Sequence, residues 1–156
     1  MTIYLAGPIT GKTSEEVFNH FDDLSSILKD MNFKVIHPMI GKDSLRNEKA
    51  FKGQGYASDP VTTDRAIFSR DMWAVEQADI LFVDLSEAIS KSIGSIMEIA
   101  WGSLLRKQII LVMPSDNIHN HAFINQAATI VFQTQKEALE YIEQYKFIDR
   151  KNYVSV

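Results

Sequence analysis

The chain has 156 residues, 46% of them hydrophobic and 23% charged, with a formal net charge of -4; this is enough chain for one compact domain of ordinary soluble composition, and the acidic balance argues against a nucleic-acid polymer as partner while leaving a single nucleotide open. There is no cysteine, which excludes disulfides, thiolate metal sites and a thiol nucleophile. No basic region precedes an apolar run at the N-terminus, and no apolar stretch approaches the ~20 residues of a membrane helix, so a cytoplasmic location without a membrane partner is expected.

In chain order, residues 2–6 (TIYLA) read as a short buried strand that runs into the tight loop GPITG. Residues 13–31 have helical spacing, with Val17, Phe21, Leu24 and Leu28 on one face. Thr13 or Ser14 caps this helix, and Glu15 and Glu16 sit in its first turn. Residues 33–37 (FKVIH) form a second strand stopped by Pro38. Residues 39–60 have no clear period and hold Gly41, Gly53, Gly55 and Pro60; loops of this length inside compact domains are often functional. A helix follows at about 63–77. ADILFVDL (78–85) is the strongest strand signal. A helix over roughly 93–106, strands at 108–114 and 128–132, a helix over 135–145 and an unpatterned tail at 147–156 complete the chain.

Continuous apolar runs that alternate with helices predict an α/β fold. The expected form is a doubly wound, flavodoxin- or Rossmann-like sheet of five parallel strands with helices on both faces. Residues 1–156 read as one domain, without internal repeats. Ligands in such sheets bind beyond the carboxyl ends of the strands, which nominates loops 7–12, 38–62, 84–95 and 114–127.

Two carboxylates stand out against this pattern. Asp71 falls on the apolar stripe of its helix, with Ile67, Ala74, Val75 and Ala78, where a carboxylate is expensive unless partnered or functional. Arg65, Arg70 or a loop amide are structural partners for it. Glu98 lies on a helix whose inward residues are read as Ile93, Ile96, Met97, Ala100, Leu104 and Leu105. One turn to either side stand Gly94 and Gly102. Small residues there either leave open space around the carboxylate or allow close packing against a neighbour. Gly94 and Ser95 offer free N–H groups at the helix start, and Ser92 is either a plain N-cap or an added hydroxyl donor. Tyr4, near the end of the first strand, is either a core aromatic or a group that orients a carboxylate. The four histidines lack metal-ligand spacing, and no G-x-G-x-x-G is present, so neither a metal nor a dinucleotide cofactor is expected. Phe51, Tyr56 and Trp73 are either packing residues or stacking platforms for a base.

Three blocks together resemble the nucleoside 2-deoxyribosyltransferase superfamily: Ile3-Tyr4-Leu5-Ala6-Gly7-Pro8-Ile9, Arg70-Asp71 followed by Ala78-Asp79-Ile80, and Gly94-Ser95-Ile96-Met97-Glu98-Ile99-Ala100. The resemblance implies that Glu98 is the nucleophile attacking C1' of a deoxyribose. It implies that Asp71 protonates or positions the departing base and that Tyr4 holds the nucleophile. It places Gly7, Pro8, Ile9, Thr10, Ser92, Gly94 and Ser95 around the substrate. It also implies a homo-oligomer with shared active sites, for which the segment from His119 to Asn125 is the candidate donated part. The substrates would be a deoxynucleoside or deoxynucleotide and a free base, with no cofactor. The transferases carry an aspartate six positions before the nucleophile. This chain has Ser92 there, as do the related 2'-deoxynucleoside 5'-monophosphate N-hydrolases, which also place an arginine where this chain has Thr10. Lys12 is the nearest cation to that position in sequence. The resemblance therefore ranks a transferase first, a nucleotide N-glycosidase second and a non-catalytic nucleotide-binding module third. A phosphoribohydrolase of the cytokinin-activating kind would show a Pro-Gly-Gly turn, which is absent.

Overall fold

The computed structural model describes residues 1–57 and 59–147. Of the tail expected at 147–156, Phe147 ends a 3₁₀ turn and residues 148–156 lie outside the described residues. Five strands, β1 (Thr2–Ala6), β2 (Lys34–Ile36), β3 (Ile80–Asp84), β4 (Gln108–Val112) and β5 (Ile130–Phe132), pair in parallel in the order β2-β1-β3-β4-β5. The helices are α1 (Ser14–Asp30), α2 (Asp64–Gln77), α3 (Ile93–Leu104), α4 (Ala122–Ala127) and α5 (Gln135–Glu143). Apolar residues of α1 and α5 pack on one face of the sheet, and those of α2, α3 and α4 on the other. This is the doubly wound α/β arrangement expected from the alternating pattern.

The central strands are apolar on both faces because helices cover both, and every residue of β3 is buried. The expected capping of α1 takes the form of a reciprocal box between Thr13 and Glu16. Chain order crosses from the α1 face to the α2 face between β1 and β3. The carboxyl ends of those two neighbouring strands therefore splay their loops apart, which is where such sheets open a crevice.

Two features differ from the sequence reading. Helix α4 occupies a segment expected to be loop; at six residues it is too short to show a period, and it starts where His121 Nδ1 accepts the Phe123 N–H. The inward face of α3 is Ser95, Glu98, Ile99 and Gly102, not the apolar set. Ile93 is 71% exposed and Leu104 81%, and Ala100, Met97 and Leu105 are exposed as well. Apolar residues surround α3 on all sides, so period alone could not select its buried face. Size selected it. A Cβ on Gly102 would stand 2.6 Å from Leu81 Cδ2, so the helix backbone lies close on the sheet at that point.

Candidate active site

Strand β1 lies inside the sheet, and Tyr4 is fully buried on the face that α2 and α3 cover. Its hydroxyl donates to Glu98 Oε1 at 2.5 Å, the length of a charge-assisted O–H···O bond. Glu98 is 5% exposed. Asp71 is half-buried on α2, which packs against α3. Burial, and then the negative charge of Asp71, push the Glu98 carboxyl up to about 8, while the Tyr4 hydroxyl and the Lys42 charge act in the other direction. Burial lifts Asp71 to about 6 against the pull of Lys42 and Arg70. Near neutral pH the two carboxyls therefore hold one proton between them. Asp84 is a useful contrast. It is buried too, but its oxygens accept bonds from Ser86 and Gln135, which marks it as structural.

Glu98 and Asp71 open into a cleft of about 430 Å³ beyond the carboxyl ends of the strands. One wall comes from the segment after β2, with Met39, Lys42, Leu45, Phe51 and Tyr56. The other comes from Ser90 to Ser95 at the start of α3. Gly94 lines the cleft and a Cβ there would touch nothing within 4 Å. The two glycines flanking Glu98 thus divide the two alternatives between them. Gly94 opens space and Gly102 permits packing. Among the described residues, no three His, Asp or Glu side chains converge as a metal site requires.

The family model of nucleoside 2-deoxyribosyltransferases matches residues 3–140. The chain belongs to the nucleoside 2-deoxyribosyltransferase family. Among solved structures, it is similar to a 2-deoxyribosyltransferase from the psychrotolerant bacterium Bacillus psychrosaccharolyticus, with a TM-score of 0.65, 20% identity, and coverage of 97% of this chain and 95% of that one. The CMP N-glycosidase BcmB of Clostridium botulinum superposes with a TM-score of 0.57 at 17% identity, covering 93% and 100% of the two chains. A conserved protein from Enterococcus faecalis V583 gives 0.63 at 15% identity, over 92% and 98%. At these identities the structures share the fold. No curated protein sequence matches the chain significantly.

Within this 2-deoxyribosyltransferase family member, Gly7, Ile9, Thr10, Ser92, Gly94 and Ser95 all line the cleft with Glu98 and Asp71. Pro8 does not. It lines a small separate hollow with Lys12 and His20, because the turn after β1 points it towards the α1 face. Lys12 also faces away from the cleft and lies 3.6 Å from Glu87, so it does not supply the cation that Thr10 lacks. Asn125 donates to Asn120 Oδ1 and lies outside the cleft of its own chain. Trp73 is 58% exposed and outside it as well, whereas Phe51 and Tyr56 line it.

Ser92 is an N-cap: its hydroxyl accepts, at 3.4 Å, from the N–H of Ser95 and pairs with the Ser95 hydroxyl at 3.0 Å. It also faces the cleft, so the cap and the substrate-facing hydroxyl are compatible. The sequence reading missed what anchors it. The Ser92 N–H donates to Nε2 of buried His119 at 2.7 Å, and His119 Nδ1 meets Asn117 Oδ1 at 3.0 Å. Nε2 accepts, so the imidazole is neutral with its proton on Nδ1. Lys42 was missed altogether, since an aperiodic loop gives no signal of which residue turns inward.

Proposed function

We propose that this protein transfers a 2-deoxyribosyl group between nucleobases through a covalent ester on Glu98. The observation that carries this reading is the Tyr4–Glu98 hydrogen bond, with Asp71 lining the same cleft and open space beside Gly94. A retaining sugar transfer needs a nucleophilic carboxylate and a second acid about 5 Å apart. Ionised Glu98, held by the Tyr4 hydroxyl, attacks C1' from the face opposite the base. The electrons of the glycosidic bond leave on the base nitrogen, and Asp71 delivers the shared proton to the base. A second base then attacks C1', Glu98 departs as carboxylate, and the proton returns to Asp71. The transition state is oxocarbenium-like, and a sugar without an electron-withdrawing 2'-hydroxyl reaches it more easily. These side chains supply nucleophile and acid without a cofactor.

The base belongs on the wall of Phe51, Leu45 and Tyr56, and the sugar's 5' end on the polar wall at the start of α3. Ser92 and Lys91 on that second wall favour an alternative substrate, a deoxynucleoside 5'-monophosphate, with water as the acceptor. The family's shared sites suggest a homo-oligomer. Of the expected segment from His119 to Asn125, His119 is buried against Ser92 of its own chain, so the exposed part, Asn120 to Phe123 with Asn125, is what contributes across an interface. The chain would serve nucleotide salvage in the cytoplasm as a single domain, with no polymer or membrane partner.

The test is incubation with a deoxynucleoside, or its 5'-monophosphate, with and without a second free base, followed by chromatography. A new deoxynucleoside is expected; free sugar or sugar phosphate would instead identify the hydrolase. Glu98→Ala is expected to abolish turnover. Near-normal rates in that variant would overturn the mechanism, and intact ligand binding with no turnover by the wild-type chain would leave a binding module.

A further inference from the structure

Lys42 is a lysine where lysines are rarely found. It is only 3% exposed, yet it lines the cleft. Among the described residues its ammonium makes no ion pair within 4 Å and no side-chain hydrogen bond. A buried cation without a close partner is costly. The charges of Asp71 and Glu98 reach it and oppose the effect of burial, which lowers its basicity. Its backbone is firmly placed. The Lys42 N–H donates to Met39 O at 3.1 Å, and Lys42 O accepts from Leu45 N at 2.9 Å. Gly41 before it has φ +73°, the left-handed region that glycine tolerates. The Arg70 guanidinium, beside Asp71 on α2, donates to Ile40 O at 2.8 Å. One residue therefore ties the turn bearing Lys42 to the helix bearing the acid.

We propose that Lys42 grips the departing base, its ammonium donating a hydrogen bond to the base oxygen or nitrogen next to the glycosidic nitrogen. This rests on the reading of Glu98 as nucleophile and Asp71 as acid. The charge movement gives the reason. Before reaction, the two carboxyls share one proton and carry one negative charge. As Glu98 bonds to C1', its charge is consumed and the same charge emerges on the base nitrogen through the breaking C1'–N bond. A fixed cation on the base side of the cleft stabilises that displaced charge without having to reorganise. When Asp71 has given its proton to the base, its own carboxylate remains as the partner of Lys42. The substrate class follows: bases with an acceptor beside the glycosidic nitrogen, as pyrimidine O2 and purine N3 are.

The test compares wild type with Lys42→Met, which keeps the stem and removes the charge. The substrates are 2'-deoxyuridines carrying nitro, fluoro, hydrogen or methyl at the 5-position, or 8-substituted deoxyguanosines if only purines are turned over. The nitro base leaves readily as an anion and needs little help; the methyl base needs most. The expected result is a loss of about 10–100-fold in kcat/KM for the hydrogen and methyl substrates, the worth of one charged hydrogen bond, and a much smaller loss for the nitro substrate. An equal loss across the series would make Lys42 structural and overturn the proposal, as would no loss. A binding measurement needs no turnover and no variant. The wild-type protein is expected to bind 5-nitrouracil, an anion at neutral pH, more tightly than uracil, and equal or weaker binding overturns the proposal even if Lys42→Met fails to fold. Failure of the wild type on both substrate series, with that binding preference intact, would instead count against the transfer reading alone.

Discussion

At the scale of single residues, the site is a proton-sharing problem. Glu98 at about 8 and Asp71 at about 6 are both raised carboxyls, and the reaction needs one ionised and one protonated. Below about 6 both carry protons, so Glu98 cannot attack. Above about 8 neither does, so the base must leave as an anion. The expected profile of kcat/KM is a bell with limbs near these values, and the limbs belong to the pair rather than to either residue. An activity that rises steadily through pH 9 would contradict it. Tyr4→Phe removes the hydroxyl that favours ionised Glu98. Its loss should slow turnover by about 10–100-fold, from a charged hydrogen bond of about 1.5–3 kcal/mol, and move the bell to higher pH. These residues were partly legible in the sequence. Asp71 on an apolar stripe and Glu98 between two glycines were anomalies of the helical pattern. The Tyr4–Glu98 bond was legible only through the family resemblance, because no period in the sequence relates a residue of β1 to one of α3. Lys42 gave no signal and His119 was read only as the start of a donated segment, since burial within an irregular loop follows from the loop's path rather than from a period.

At the scale of elements, α3 carries most of the design. The same helix needs room at its first turn and contact with the sheet at its last. Gly94→Ala meets no atom within 4 Å and should gain stability, by up to about 1 kcal/mol from helix propensity, while lowering activity by crowding the cleft. Gly102→Val would drive a branched side chain into Leu81 and Ile109 and should destabilise by about 1–3 kcal/mol. Thermal unfolding and turnover measured on both variants check this; a stable, fully active Gly102→Val chain would refute the packing assignment. The strands and the longer helices were legible because strands buried on both faces stand out as continuous apolar runs and amphipathic helices by their period. The face of α3 was not, because its apolar residues lie on every side of it, and α4 was not, because six residues hold less than two turns.

At the scale of the whole molecule, the order β2-β1-β3-β4-β5 puts the cleft at the point where the chain crosses from one face of the sheet to the other. Ile93, Leu104 and Phe123 are apolar yet 71%, 81% and 80% exposed; Ile93 lines that cleft, Leu104 ends α3 and Phe123 lies on α4 within the segment proposed for donation. Light scattering is expected to show a dimer or larger assembly. Phe123→Asp should shift it to smaller species and reduce turnover, and a fully active monomer would rule out shared sites.

The central claim is the ester on Glu98. A 2'-fluoroarabinosyl nucleoside is a suitable trap, since fluorine disfavours the oxocarbenium-like transition state and lets a covalent intermediate accumulate. After an acid quench, peptide mass mapping should find one fluorosugar on the peptide containing Glu98, and none in Glu98→Ala. Turnover of this substrate with no adduct, or with the adduct on another residue, would contradict the account.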